Sequence, residues 1–467
     1  MKKKLIVAIA LIITLFGFIS CEHNHHDEYD PKATPLTFHF YGMGGKVVFE
    51  NAPASLKYSI NGGRKHVLGQ GNNTIEVGDD QTVSLYLSRP KGDGVKPLRI
   101  NCTGSNCYVY GNVMSLYIED GFEKRNFVYD FAFLELFLNN ENIDIHPEYE
   151  LYLPATTLAN FCYADMFHGC SNLTRAPELP ATTLEPSCYA NMFLGCKKLA
   201  AVPDIPATEL APSCCYNMFS ECESLKTAAD LVLKATNLPM YCYLGMFSGC
   251  TNLAHPPKIL AEKVGGASCQ YMFSRCANLE EAPELNAMTL GVQCYGTMFS
   301  GCKKLKKAPK LPATKLAELC YESMFSTCDY LTEAPDLPAE VLEKSCYTRM
   351  FEWCERLEKA PAIAATTVAE SSCEKMFTHC HNLKESPVLH AQNLVSNCYA
   401  KMFNECRVLE KITCLATTKA SSSTTNWVEG VDNNSGKLVV PASGMEFTWE
   451  SGNSGLRDGW TIETYNP

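Results

Sequence analysis

The chain has 467 residues, 46 % hydrophobic and 19 % charged, a composition that excludes a disordered chain and supplies a sizeable core. Its net charge of -11 comes with one internal cationic cluster, "KKLKKAP" around Lys303 to Lys307. That balance excludes nucleic acid as a partner, since no basic stripe exists to neutralise phosphates.

Residues 1–21 read as a leader. Lys2, Lys3 and Lys4 form a positive start, followed by the apolar run "LIVAIALIITLFGFI", too short and too early for a spanning helix with stop-transfer flanks. It ends in "FGFISC", where Ser20 precedes Cys21. This ending resembles the lipobox of bacterial lipoproteins, although Phe18 stands where Leu or Val is usual. The resemblance implies cleavage before Cys21, its lipidation and a membrane anchor through that lipid. Residues 22–34 open with "EHNHHDEYD", a polar acidic tether. Acidic residues just after the lipidated Cys resemble a signal for display on the outer face of the outer membrane. His23, His25 and His26 lie in this tether without a second shell to orient them, so no metal site is expected.

Residues 35–125 hold short alternating runs, "LTFHFYG", "KVVFE", "LKYSI", "NTIEVG", "TVSLYLS" and "LRINC", separated by turn clusters such as "NGG" and "VGDD". That pattern predicts a small antiparallel β-domain of sandwich type. Residues 126–158 keep a repeat frame in degenerate form, with Phe137, then Asn140 where a cysteine belongs, Ile143 and Pro147. A capping repeat is expected there, because terminal repeats are atypical.

Residues 159–416 carry ten units. Their second cysteines are Cys170, Cys196, Cys222, Cys250, Cys276, Cys302, Cys328, Cys354, Cys380 and Cys406, every step being 26 except 28 from Cys222 to Cys250. A fixed period of this kind defines a solenoid. Within one unit, Leu158, Cys162 and Met166 fall at i, i+4 and i+8 with Phe167 beside them, which predicts a short helix capped by Thr156 or Thr157 and stopped at Gly169. "NLTRAPEL" predicts an extended segment, with Pro177 where the ladder does not need an amide. The expectation is an α/β repeat solenoid of about 26 residues per coil. Residues 417–467 then supply a polar loop, "KASSSTTNWVEGVDNNSG", and a β-type cap in which Trp427, Trp449 and Trp460 cover the open end of the core.

The spacing Phe167, Cys170, Leu173, Pro180, repeated as Phe299, Cys302, Leu305, Pro312, resembles the BspA-like leucine-rich repeats over about residues 130–416. The resemblance implies a leucine-rich-repeat solenoid behind a β-domain, and a surface protein that binds host or neighbouring-cell proteins. The chain departs from that family in its 26-residue period and in using Cys where Ile is usual.

Of the 25 cysteines, 24 remain after Cys21, an even number in an exported chain. A straight helix would hold Cys162 and Cys170 about 12 Å apart, beyond the roughly 7 Å limit for a bridge. In "ASCQYMF" and "SSCEKMF" the first cysteine is displaced by one residue, to Cys269 and Cys373, with Ser268 and Ser372 in its place. A fixed bridge within each unit should not tolerate that, so buried free thiols are preferred over systematic disulfides. Cys102 and Cys107 form the pair most readily bridged. No Cys-x2-Cys knuckle, phosphate loop, His-Glu-x-x-His or nucleophile elbow occurs, so no metal, cofactor or catalytic residue is assigned.

Eight residues after the second cysteine stand Glu178, Asp204, Asp230, Lys258, Glu284, Lys310 and Asp336, then Ala362 and Val388, followed in the last unit by Thr413, seven after Cys406. The acidic members form a candidate partner-selective stripe, or simply a solvated face. Two functions of different class fit: protein–protein interaction or adhesion through the solenoid, and polysaccharide binding through the β-domain or the C-terminal tryptophans.

Overall fold

A computed structural model describes residues 29–42, 44–87 and 96–466. Cys21 and the three tether histidines, His23, His25 and His26, lie outside the described residues.

The β-domain contains β1 (Thr37–Phe40), β2 (Gly45–Ala52), β3 (Lys57–Ile60), β4 (His66–Val67), β5 (Gly71–Val77), β6 (Thr82–Tyr86), β7 (Arg99–Gly104) and β8 (Cys107–Asn112). Two antiparallel sheets form, one in the order β8-β1-β6-β3-β4 and one in the order β5-β2-β7. Alternation drives the burial: Phe38, Phe40, Val83, Leu85 and Val109 from the first sheet join Val47, Phe49, Ile75 and Ile100 from the second in one core.

The next coil supplies β9 (Ile143–Ile145) and β10 (Leu151–Tyr152), which both pair with β8 in parallel and so extend the first sheet. The expected cap is therefore a joint. Asn140 sits fully buried where later units have cysteine; its Oδ1 accepts from the Cys102 amide and its Nδ2 donates to the Ile100 carbonyl, both at 3.3 Å. Asn142 adds a bond to the Cys102 carbonyl at 2.7 Å. A thiol, only a weak donor and a weak acceptor, would pair a β7 amide and a β7 carbonyl poorly, which accounts for the departure from the repeat at this coil.

The array is a repeat solenoid with coils of about 26 residues, as its period predicts, but the expected helices are absent. Among the described residues the only helical segments are two 3-10 turns, Val113–Leu116 and Phe122–Lys124. Where a helix was expected, amides alternate between two destinations. Phe161, Tyr163, Asp165, Phe167 and Gly169 donate to carbonyls of the next coil, Pro186, Cys188, Ala190, Met192 and Leu194, at 2.8–3.1 Å. Cys162, Ala164, Met166, His168 and Cys170 donate back three residues within their own coil at 3.0–3.3 Å. Each back-bonded set is a β-turn, and every second one has a left-handed residue at its third position, as in Phe161, Asp165 and Gly169. The pattern recurs in every coil from Phe131 to Glu405, mostly without glycine.

Spacing decides between this ladder and a helix. The phenylalanines of successive coils, from Phe137 to Phe403, stack with centroids 5.3–5.9 Å apart. Packed helices need about 8–10 Å between axes. Both walls of the coil therefore advance at strand-like spacing. The far wall is built from short parallel pairs, such as Val232–Leu233 on Lys258–Ile259 and Asn237–Leu238 on Lys263–Val264.

Four-residue periodicity places Cys162 and Tyr163, then Met166 and Phe167, then Cys170 inside, and leaves Phe161, Asp165 and Gly169 outside the core. Cys269 and Cys373 are displaced by one residue within this frame, as read from the sequence. They occupy the buried tyrosine position, with the buried Ser268 and Ser372 in the cysteine position. All 24 described cysteines are free and buried. The second cysteine of each unit donates its S–H to the phenylalanine carbonyl of the preceding coil, as Cys196 to Phe167 and Cys302 to Phe273, at 3.0–3.3 Å throughout. Burial pushes these thiols up, the Cys250 thiol to about 12.

The expected polar loop after Leu415 is one more coil. Ser423, Thr425, Trp427 and Glu429 accept the outgoing amides of Tyr399, Lys401, Phe403 and Glu405 at 2.7–2.9 Å; Trp427 takes the methionine position, and its ring packs against Phe403. Trp449 stacks on Trp427 at 5.1 Å, and the strands Lys437–Val440 and Thr461–Thr464 extend the parallel wall. Trp427, Trp449 and Trp460 are all buried, so they close the core and offer no aromatic surface for a sugar.

Candidate binding surface

Because repeated residues point inward, the surface consists of rows of changing residues about 4.8 Å apart from coil to coil. In the strand row Glu178, Asp204, Asp230, Glu284 and Asp336 are all exposed. They do not form one stripe. The two extra residues between Cys222 and Cys250 fall before the strand, so Val232 pairs with Lys258 and stands in the row, while Asp230 lies in the turn ahead of it. Asp204 meets Lys234 at 3.5 Å, and Lys258 and Lys310 break the remaining acidic run. Three residues nearer the second cysteine, side chains pair between coils, the His255 imidazole with Glu281 at 3.1 Å and the Lys307 ammonium with Glu333 at 2.8 Å. Such exposed pairs contribute about 0–1 kcal/mol each and describe a solvated wall.

An aromatic cluster joins the β-domain to the first coil. Tyr41, Tyr108, Tyr110 and Tyr149 surround His146, and Tyr29 packs on Tyr110 and Tyr149. His146 Nδ1 accepts from the amides of Glu148 and Tyr149, both at 3.1 Å, which leaves Nε2–H to donate to Tyr41 Oη at 2.9 Å. Burial, and then the neighbouring His39, hold this imidazole below the usual histidine range. Tyr29 Oη donates to the Glu150 carbonyl at 2.7 Å. The rings face one another, so the cluster serves as a clamp. Cys102 and Cys107 are neighbouring unbridged thiols in the β-domain core; burial and hydrogen bonding with the Cys102 thiol push the Cys107 thiol well up.

The third left-handed position of each coil forms another row: Arg275, Gly301, Thr327, Trp353, His379. Gly301 has no side chain and Thr327 a short one, so a cavity of ≈ 460 Å³ opens between Arg275 and Trp353, with Ala277, Lys303 and Asp329 along its side. Trp353 is 38 % exposed, the one exposed tryptophan of the chain's four. Its indole is stacked on by His379, with centroids 3.7 Å apart, and Trp353 also lines the cavity. Lys303 Nζ lies 3.8 Å from the Asp329 carboxylate, and Arg275 has no ion-pair partner among the described residues. One residue further along the coils, the Arg356 guanidinium sits 3.7 Å over the Tyr330 ring. Neither Arg275 nor Trp353 stood out in the sequence; the available signal was glycine at this turn position in four of the ten units.

Among the described residues no group of three or more His, Cys, Asp or Glu is placed to hold a metal ion, and no helix is long and apolar enough to cross a membrane. Fold and surface together define a parallel β-solenoid fused through a shared sheet to a two-sheet β-domain. Comparisons with family models, with curated proteins and with solved structures give no match to this chain.

Proposed function

We propose that this chain is a lipid-anchored surface protein of the BspA-like leucine-rich-repeat kind, held through Cys21 and facing the cell exterior, which binds proteins of host or neighbouring cells through its solenoid. One observation carries the choice of binding over catalysis. Repeated side chains are buried and turn-wall amides are consumed within and between coils, so what meets solvent is a long, stiff set of variable rows. The resemblance in Phe-x2-Cys-x2-Leu spacing supports the family reading, and the leader supports the anchor. The turn ladder takes the place that a helix has in the expected repeat, so the leucine-rich-repeat label rests on sequence likeness.

Two measurements test this. Protease shaving of intact cells should remove the array, and the whole chain without its leader should capture proteins from a cell-surface and matrix panel. Recovery of intact array after shaving, or no capture by a folded chain, would sink the proposal. A glycan-binding function is the second reading. The C-terminal tryptophans and the β-domain tyrosines are engaged in packing, so the observation that favours it is the groove at Trp353.

A further inference from the structure

We propose that the groove between Arg275 and Trp353 binds glycans containing hexuronate residues. This rests on the reading of the solenoid as a binding surface and gives one part of that surface a ligand chemistry. Three features select it. The exposed part of the Trp353 indole, which lines the groove, offers a flat apolar wall suited to the C–H face of a pyranose. Arg275, without a carboxylate of its own, presents a planar guanidinium fork that matches a sugar carboxylate. Lys303 and Asp329 set a donor and an acceptor side by side, the arrangement that vicinal hydroxyls need.

Charge points the same way. On a chain of net charge -11, the one cationic cluster of the array, Lys303 to Lys307, belongs to the coil that forms the middle of this groove. Arg275 and Trp353 stand three coils apart, about 14 Å at strand spacing, which an oligosaccharide spans with one ring on the indole and the carboxylate of another residue at the guanidinium. An acidic peptide fits less well. The amides of Arg275, Gly301, Thr327 and Trp353 all donate to the next coil, so the groove has no free edge for a peptide main chain. A rigid pyranose also loses less freedom on binding than a flexible peptide.

The experiment uses the whole chain without its leader. Since Trp427, Trp449 and Trp460 are at most 7 % exposed, fluorescence accessible to acrylamide reports on Trp353. Trigalacturonate and a hyaluronan tetrasaccharide are titrated as the two sources of hexuronate, with maltotriose as the neutral control. At least one acidic probe should shield Trp353 and bind roughly tenfold or more tightly than maltotriose, with that preference lost in R275Q. Calorimetry should show binding abolished in W353A, whose folding is checked by its unfolding midpoint. Acidic probes no tighter than maltotriose, or undiminished binding by W353A, would overturn the inference. If the wild type still captures panel proteins in that case, only the glycan site fails; if it captures nothing, the broader reading fails too.

Discussion

Ser323→Gly and Ser323→Ala together discriminate the turn ladder from a helix, because the two backbones rank the variants in opposite order. Ser323 has φ 52°, its amide donates to the Thr348 carbonyl at 2.9 Å, and Gly245 holds the same turn position in an earlier coil. A left-handed L-residue costs about 1–2 kcal/mol, which glycine avoids and alanine does not. Glycine loses about 0.4–1 kcal/mol of that advantage through the greater freedom of its unfolded chain. Ser323→Gly should therefore be more stable than Ser323→Ala by about 0.5–1 kcal/mol. In a helix interior the order reverses, with glycine about 1 kcal/mol worse than alanine. Equilibrium urea unfolding of the two variants reads the sign directly. Alanine above glycine would refute the alternating-turn backbone.

Three other outcomes follow from the geometry. Asn140→Ala should destabilise the joint by about 1–3 kcal/mol for each β7 group left unpaired, and Asn140→Cys, though it restores the repeat, should not recover that loss in thermal unfolding. The 24 buried thiols should resist alkylation in the native protein at pH 8 and label without reductant once it is denatured; twenty or more blocked before reduction would contradict the free-thiol ladder. His146 is held neutral, since a proton on Nδ1 would face two amide donors, so below about pH 6.5 the unfolded state protonates first and stability falls with pH. His146→Gln should flatten that part of the stability–pH curve, and an unchanged slope would remove His146 as its source.

Much of the core was legible because burial follows chemistry. Met166, Phe167, Cys170 and Leu173 are inside, as their recurrence requires. The helix expectation arose at the same residues, for a definable reason. Over nine residues, a repeat of 4.0 and a helical repeat of 3.6 drift apart by about one position, so Cys162, Met166 and Cys170 fit either. The polar "KASSSTTNWVEG" was opaque for another reason: its ladder is made by main-chain carbonyls, and Trp427 alone marks the frame. The groove escaped notice because Arg275 and Trp353 are 78 residues apart and meet only through coil stacking.

By itself, then, the sequence determined the period, the inward residues, the two-sheet character of the β-domain and the places where the frame breaks, all of which are set by local pattern and apolar burial. The tertiary structure decided what no single coil can. Half the turn-wall amides find their acceptors only in the next coil, so the choice of an alternating-turn ladder over a helix exists only in the stack. The same holds for Asn140 at the joint and for the cavity between Arg275 and Trp353, since each is a relation between coils that the chain order keeps apart.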